Sequence, residues 1–211
     1  MSASASVAPT PPGQTRSYPV AARALLRPTL LDAVRDQLRT RAWTEVTMAD
    51  VARAAGVSRQ TVYNEFGSRP ALAQAYVLCE ADRFLATIEE AISEHLDDPI
   101  AAMTAAFEVF LAVADGDPLV RALISSEGGD ELLALVTTHG HQVHDRATAH
   151  LASFLAEGWP TLPPPKARLL ADAVVRLAIS HATLPSGSSH ETARSIGELL
   201  GPFVERALAA K

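Results

Sequence analysis

The sequence lacks the signals that would place this protein outside the cytosol. Its 211 residues include a single cysteine, Cys79, so no internal disulfide can form and a reducing compartment is the natural setting. We expect Cys79 to be a small buried apolar residue and not a redox centre. No window approaches the ~20 uninterrupted apolar residues of a membrane span, and the N-terminus lacks the basic-then-apolar order of a signal peptide. These absences predict a soluble, cytoplasmic protein with no membrane contact.

Signatures of catalysis and of β-structure are also missing. The chain has no Gly-rich phosphate loop, no G-x-S-x-G turn and no H-E-x-x-H pair, and its Ser, His and Asp residues follow no recognisable catalytic order. It has no alternating apolar and polar run of the kind that marks a half-buried strand, whereas Ala and Leu are abundant and hydrophobic residues make up 48%. We therefore expect an all-α protein that is not an enzyme and carries no cofactor.

Charge is distributed unevenly along the chain. The net charge of −6 taken alone disfavours binding to nucleic acid. Residues 16–69, however, contain nine Arg and five acidic residues, whereas the chain from residue 70 onward contains nine basic and nineteen acidic residues. Such asymmetry is expected when one part of a protein meets phosphate groups and the other does not. It points to an N-terminal DNA-binding region.

Start and stop signals for three helices fall between residues 56 and 68. Gly56 can adopt the positive φ that ends one helix, Ser58 is a preferred N-cap for the next, and Gly67-Ser68 closes that helix and caps a third. Upstream, Pro28 suits the first turn of a helix that reaches about residue 41. Thr47, followed by Asp50, predicts a capping box at the start of a helix that ends at Gly56. The helices expected over about 28–41, 47–55 and 58–66 together predict a helix-turn-helix unit.

The helix expected over residues 58–66 has two different faces. The apolar positions that can be buried are Val57, Val62 and Phe66. The outward positions carry long polar side chains, namely Gln60, Tyr63 and Asn64, with Arg59 and Arg69 at the flanks. Arg, Gln and Asn match the hydrogen-bonding edges of guanine and adenine in the major groove. We predict that this helix reads DNA; the competing interpretation is a purely structural helical hairpin.

The stretch over residues 47–69, TMADVARAAGVSRQTVYNEFGSR, resembles the DNA-binding signature of the TetR (AcrR-like) transcriptional regulators. The shared features are the Gly-Val-Ser turn, the Thr-aliphatic-Tyr core, the closing Phe and a basic residue after the next cap. The resemblance implies that Arg59, Gln60 and Tyr63 contact bases. Asn64 lies beside them on the same outward face. The resemblance also implies phosphate contacts by Thr47, Ser58, Thr61, Tyr63 and Arg69. Asn64-Glu65 and Pro70 depart from the common pattern, so no operator sequence is implied.

The rest of the chain divides at Pro and Gly clusters into further helices. Their expected ranges are 71–96, 99–114, 119–125, 130–156, 166–184 and 191–209. We expect three regions: an N-terminal arm over 1–24 that is disordered, the helix-turn-helix domain over 25–69, and a ligand-binding and dimerisation domain over 70–211. The arm is either inert or places Arg16 and Arg23 in a minor groove. The 71–96 helix follows Ser68 directly and is expected to act as a lever on the DNA reader.

Two side-chain groups in the C-terminal region have more than one interpretation. Met103, Phe107 and Phe110 form an apolar helical face, which is either ordinary core or the lining of a pocket for an apolar ligand. The histidines between His139 and His150 suit a solvated helix face, a pH-sensitive or ligand-contacting polar patch, or a metal site. No Cys or Glu-rich segment completes a metal shell, so we expect no metal.

The family resemblance extends to assembly and regulation. In TetR-like proteins, the helices corresponding to 166–184 and 191–209 form a four-helix interface, which implies a homodimer whose two readers lie one DNA turn, ~34 Å, apart. Residues 63–69, 117–120 and 132–138 also resemble regulators found beside alkane-hydroxylase genes in actinobacteria. The implied function is a repressor released from double-stranded operator DNA by a small apolar effector, such as a long-chain fatty acyl or hydrocarbon-derived compound. An activator of the same architecture, a helical acyl-processing enzyme and a protein-binding adaptor are the alternatives.

Overall fold

The computed structural model describes residues 18–124, 130–185 and 187–209, with side chains from residue 25 onward. Over these ranges the chain forms ten α-helices and no strand, so the prediction of an all-α protein is confirmed. The helices are α1 (Tyr18–Leu38), α2 (Met48–Ala54), α3 (Arg59–Phe66), α4 (Arg69–Ser93), α5 (Pro99–Gly116), α6 (Pro118–Ile124), α7 (Asp130–Val136), α8 (His141–Gly158), α9 (Pro164–Thr183) and α10 (Ser189–Ala209).

The first helix starts earlier than the sequence suggested. Pro28 was expected at its first turn, but α1 begins at Tyr18 and runs through Pro28. The Ala- and Leu-rich run over residues 21–26 favours helix and outweighs the cost of an interior proline, which removes one intrahelical donor and crowds the preceding turn. Thr29 Oγ1 donates to the Leu25 carbonyl, 2.8 Å away, one turn earlier. Residues 18–24 are therefore helical in this structure, whereas Arg16 and the side chain of Arg23 lie outside the described residues.

A second difference concerns the single helix expected over residues 130–156. The structure divides it into α7 and α8, separated by a turn over residues 137–140. A Cβ added to Gly140 would lie 2.6 Å from both the carbonyl carbon and the oxygen of Val136, so this close turn requires glycine. The prediction was wrong because helical periodicity continues on both sides of the turn and conceals the break.

Buried apolar side chains form two clusters that share α4. The first cluster contains side chains of α1, α2, α3 and the start of α4, together with side chains from α6 and α7, including Leu123 and Leu132. The second joins the later part of α4 with α5, α8, α9 and α10. Helix α4 contributes Leu72 and Tyr76 to the first cluster and Leu85 and Ile88 to the second. It therefore connects residues 25–69 directly to the larger helical body.

Helix α5 lies at the centre of the larger cluster. Among the described residues it is the one helix whose length and apolar composition would allow it to cross a membrane. Its buried residues include Met103, Phe107 and Phe110. Helix α10 approaches it closely, because a Cβ added to Gly201 would lie 2.7 Å from the Cα of Ile100. These contacts explain the apolar composition of α5 as that of a core helix.

Candidate nucleic-acid interface and ligand cavity

Side-chain caps fix the two helices of the helix-turn-helix unit. The Thr47 hydroxyl accepts from the Asp50 backbone N–H at 3.2 Å, and the Asp50 carboxylate accepts from the Thr47 backbone N–H at 3.2 Å. This is the predicted capping box. The Thr47 hydroxyl also donates to Asp50 at 2.6 Å and is the main cause that lowers the pKa of that carboxyl below its ordinary value. Ser58 caps α3 in the same way, accepting from Thr61 N–H at 3.1 Å.

Two glycines form the backbone turns that precede and follow α3. Gly56 has φ +68° and Gly67 has φ +77°, both in the region that side chains avoid. Between them, Val62 and Phe66 are buried and Val57 is half-buried. The buried face of α3 therefore lies against α2 and α4, and its opposite face is left at the surface.

The outward face of α3 presents two side-chain pairs. The Arg59 guanidinium donates to the Tyr63 hydroxyl at 3.2 Å and lies 5.2 Å from the centre of the Tyr63 ring. Gln60 donates to the Asn64 side-chain oxygen at 2.8 Å. Each pair spans one helical turn, so the side chains are held in order on an exposed surface. Donors and acceptors of this kind, on a short capped helix, suit the edges of bases.

Hydroxyl groups flank this face. Ser58 Oγ and Thr61 Oγ1 lie 2.8 Å apart at the start of α3, and the Thr47 hydroxyl lies at the start of α2. The two helix starts also expose backbone N–H groups, which favour anions. This arrangement places Ser58 and Thr61 where a hydroxyl can donate to a phosphate oxygen, whereas the Thr47 hydroxyl proton is directed to Asp50.

The acidic residue in the reader, Glu65, is neutralised by a residue that the sequence did not single out. Arg27 from α1 donates to its carboxylate at 3.0 Å and stacks 4.9 Å from the centre of the Phe66 ring. The separation of 38 residues leaves no local signal of this pair. The Glu65 charge, which departs from the common family pattern, is therefore balanced within the protein.

Arg69, for which a phosphate contact is expected, makes several contacts within the protein. Its guanidinium donates to the Val46 carbonyl at 3.0 Å, the Trp43 carbonyl at 2.6 Å and Glu131 at 2.6 Å. It also lies 4.2 Å from the centre of the Trp43 ring. Trp43 Nε1 donates to the same Glu131 oxygen at 2.8 Å. We call these three side chains the Glu131 clamp; it joins the start of α4, the turn before α2, and α7.

A second, more buried ionic group joins α1 to α4 and α6. Arg35 donates to the carboxylates of Glu80 and Asp117, the latter at 3.1 Å. The Glu80 side chain is 1% exposed and that of Asp117 is 2% exposed. The hydrogen bond to Glu80 is the main cause that raises the pKa of Arg35. We call these three side chains the Arg35 triad. Arg35 is the cation in contact with Asp117, whereas Glu80 also lies 3.6 Å from Arg83.

An apolar cavity of about 100 Å³ lies between helices α4 to α9. Its walls include Val77, Phe84, Phe110, Val136, Leu151 and Val174. Of the three residues proposed for a ligand pocket, Phe110 lines this cavity. Met103 and Phe107 are 0% and 2% exposed and pack in the adjacent core. The cavity could not be located from the sequence because its walls come from helices far apart in the chain.

The histidines between residues 139 and 150 do not converge. His144 Nε2 lies 3.0 Å from Asp172, and His150 Nε2 lies 2.8 Å from Glu89 on α4. Across the described ranges, no three His, Cys, Asp or Glu side chains are grouped as metal ligands would be. His144 and His150 instead face separate acidic neighbours.

Comparison with known proteins gives the same architecture. Residues 30–76 match the family model described as bacterial regulatory proteins, tetR family, and residues 98–202 match that of the bacterial tetracyclin repressor C-terminal domain. The chain is 41% identical over 203 residues to the HTH-type transcriptional regulator AlkX of Mycobacterium tuberculosis, covering 96% of this chain and 95% of that one.

Solved structures of other proteins share this fold. The TetR family repressor AlkX from a Dietzia species, implicated in biodegradation of n-alkanes, is 37% identical and superposes with a TM-score of 0.78 over 86% of this chain and 96% of that one. RolR without ligand, at 17% identity and a TM-score of 0.55, covers 87% of this chain and 96% of its own and shares the fold alone. The expected resemblance is confirmed, including its alkane-associated branch. The chain belongs to the TetR family of DNA-binding transcriptional regulators.

Proposed function

We propose that this regulator is a cytoplasmic homodimeric repressor that leaves its operator when a small apolar ligand enters the cavity. The observation that carries the proposal is that α4 and α7 both form cavity walls and both contact the helix-turn-helix unit. The Dietzia relative is a repressor implicated in biodegradation of n-alkanes, which favours repression over activation and a hydrocarbon-derived ligand.

The proposed DNA contacts are those that the exposed face of α3 can make. Arg59, Gln60, Tyr63 and Asn64 would meet base edges, and Ser58 and Thr61 would hold phosphates. Thr47 would join them on turning its hydroxyl from Asp50 to the phosphate. The inward contacts of Arg69 favour a positioning role, in which it fixes the start of α4 against Trp43. The phosphate contact by Arg69 that the family resemblance implies stays a prediction.

The proposed dimer uses the outward faces of α9 and α10. Each helix packs one face in the core, through residues such as Val174 and Val204, and leaves a large leucine outside. Leu169 on α9 is 54% exposed and Leu199 on α10 is 67% exposed. Burial of such side chains in a two-fold interface would hold the two readers at a fixed separation.

The size of the cavity suggests how ligand and DNA oppose each other. A cavity of ~150 Å³ admits benzene, so the ~100 Å³ available here accepts a longer chain only if its walls move. Val136 of α7 lines the cavity, and Glu131 of the same helix holds Trp43 and Arg69. A ligand that displaces α4 or α7 would therefore shift the reader. Ligand and DNA would then favour different states, which is the requirement for release.

DNA binding is tested with a duplex from upstream of the protein's own gene, using fluorescence anisotropy at several salt concentrations. We expect wild-type protein to bind with an affinity that falls linearly in log–log form as salt rises. The double variant Gln60→Ala, Tyr63→Ala should lose sequence-specific binding, whereas Glu157→Ala, which removes an exposed side chain from α8, should not. Equal binding by wild type and the double variant would contradict the assignment of α3 as reader.

A further inference from the structure

A polar cleft adjoins the apolar cavity. It lies between the turn that joins α7 to α8 and the later part of α9, and its volume is about 550 Å³. Val136, Ile179 and Thr183 line both spaces, so the cleft and the cavity meet at these three residues. We call this cleft the vestibule. A molecule that fills the cavity and extends beyond these residues enters the vestibule.

The vestibule contains hydrogen-bond donors that the protein itself does not use. Arg176 Nε donates to Asp172 at 2.9 Å, which orients the guanidinium. Within the part of the chain that the structure describes, its two terminal nitrogens make no hydrogen bond, and its side chain is 65% exposed. His144 also lines the vestibule and lies 3.0 Å from Asp172. Asp172 thus holds Arg176 in place while leaving its outer edge available.

We propose that the effector is an amphiphile whose apolar chain enters the cavity and whose terminal oxygen group is held in the vestibule by Arg176. The inference rests on the proposed function and names the ligand class for that site. The cavity walls are apolar apart from Thr183, whose hydroxyl is committed to the Ile179 carbonyl at 2.8 Å. A polar head inside the cavity would lose its hydrogen bonds to water without replacement. The head therefore stays in the vestibule.

The same geometry separates oxygenated chains from the parent hydrocarbon. An alkane offers no acceptor to the outer nitrogens of Arg176, whereas a carboxylate offers two acceptors and a hydroxyl offers one. A carboxylate can meet the guanidinium in a paired, charge-assisted arrangement. Asp145 and Asp172 are the opposing charges at the vestibule, and the guanidinium edge turned away from Asp172 is the part that an oxygen head can reach. Both heads share the chemistry of a terminal oxygen acceptor on a linear chain.

The test measures direct binding of three compounds of one chain length, namely dodecane, 1-dodecanol and dodecanoate, by equilibrium dialysis with labelled ligand. Wild-type protein should bind the two oxygenated compounds more tightly than dodecane. Arg176→Gln should weaken dodecanoate roughly 10- to 100-fold, as for a lost hydrogen bond to a charged group, and 1-dodecanol by roughly 2- to 10-fold. Arg176→Lys should recover much of the dodecanoate binding. Arg168→Gln, which removes an exposed charge from the same helix, is the control and should bind as wild type.

Release of operator DNA is measured on the same proteins, so that the two proposals can fail separately. Dodecane binding as tightly as the oxygenated compounds, with DNA released, would leave the repressor assignment intact and overturn the head-group site. Equal losses in Arg176→Gln and Arg168→Gln, or no binding of any of the three compounds, would also overturn it. Oxygenated ligands that bind through Arg176 without releasing DNA would support the site and contradict the proposed function.

Discussion

Replacement of Arg35 should destabilise the protein more than any exposed arginine on the same helix. In Arg35→Leu, the carboxylates of Glu80 and Asp117 stay buried but lose the guanidinium that both contact. Breaking a buried ion pair from one side costs ~3–5 kcal/mol because an uncompensated charge remains. Arg83 still lies 3.6 Å from Glu80 and Arg35 itself is 24% exposed, so we expect the lower end, about 3 kcal/mol.

The assay is urea unfolding followed by far-ultraviolet circular dichroism, at matched protein concentration because a dimer's stability depends on it. A loss of about 3 kcal/mol corresponds to a fall in Tm of roughly 6–12 °C for a chain of this size. The control is Arg39→Leu, four residues later and just past the end of α1, where Arg39 is 62% exposed and pairs with the 72% exposed Asp36. That change should alter the unfolding free energy by less than ~0.5 kcal/mol.

Removal of the Glu80 charge from the Arg35→Leu variant should restore part of the lost stability. Arg35→Leu combined with Glu80→Leu eliminates one unpaired carboxylate, so the double variant should be more stable than Arg35→Leu alone. Asp117 keeps its capping bonds to Leu119 N–H, at 2.8 Å, and to Val120 N–H, at 3.4 Å, so part of the loss should persist. Arg35→Leu within ~1 kcal/mol of wild type, or no recovery in the double variant, would refute the reasoning.

Three further outcomes follow from packing, assembly and charge. Gly201→Ala should lower the unfolding free energy by about 1–2 kcal/mol because the added methyl meets Ile100, whereas Gly116→Ala, with open space around it, should be neutral or slightly stabilising in the same urea titration. Leu199→Asp should give a monomer by light scattering while Leu25→Asp, at an equally exposed site, stays dimeric; a dimeric Leu199→Asp would contradict the proposed interface. The lowered pKa of Asp50 contributes stability that is complete above about pH 5 and is lost as pH falls through about 4 and below, so Asp50→Asn should reduce the acid sensitivity of unfolding; an unchanged pH profile would count against it.

The helix-turn-helix unit was predictable because its signals are local. The Thr47–Asp50 box, the Ser58 cap and the positive φ of Gly56 each depend on residues within one helical turn, and the structure has all three. The same locality explains why the outward face of α3 could be predicted from spacing and residue type; its contacts with DNA stay a prediction. The split at Gly140 was missed because that glycine's requirement arises from a close backbone approach that no sequence pattern records.

The long-range contacts could not be read from the sequence. Glu131 meets Trp43 and Arg69 across 88 and 62 residues, and Arg35 meets Asp117 across 82. In the sequence, each of the charged residues among them resembles an ordinary surface charge. Arg69 shows the consequence: its residue type suits a phosphate, but the aromatic ring and carbonyls around it engage its guanidinium internally.

The central claim is that ligand and operator DNA bind opposing states of one dimer, and the most direct measurement is the linkage between them. The DNA affinity of wild-type protein is measured with and without saturating ligand, and the ligand affinity with and without saturating DNA. The account requires both affinities to fall by the same factor, expected at roughly 5- to 150-fold. A ligand that binds the cavity while leaving DNA affinity unchanged would contradict it.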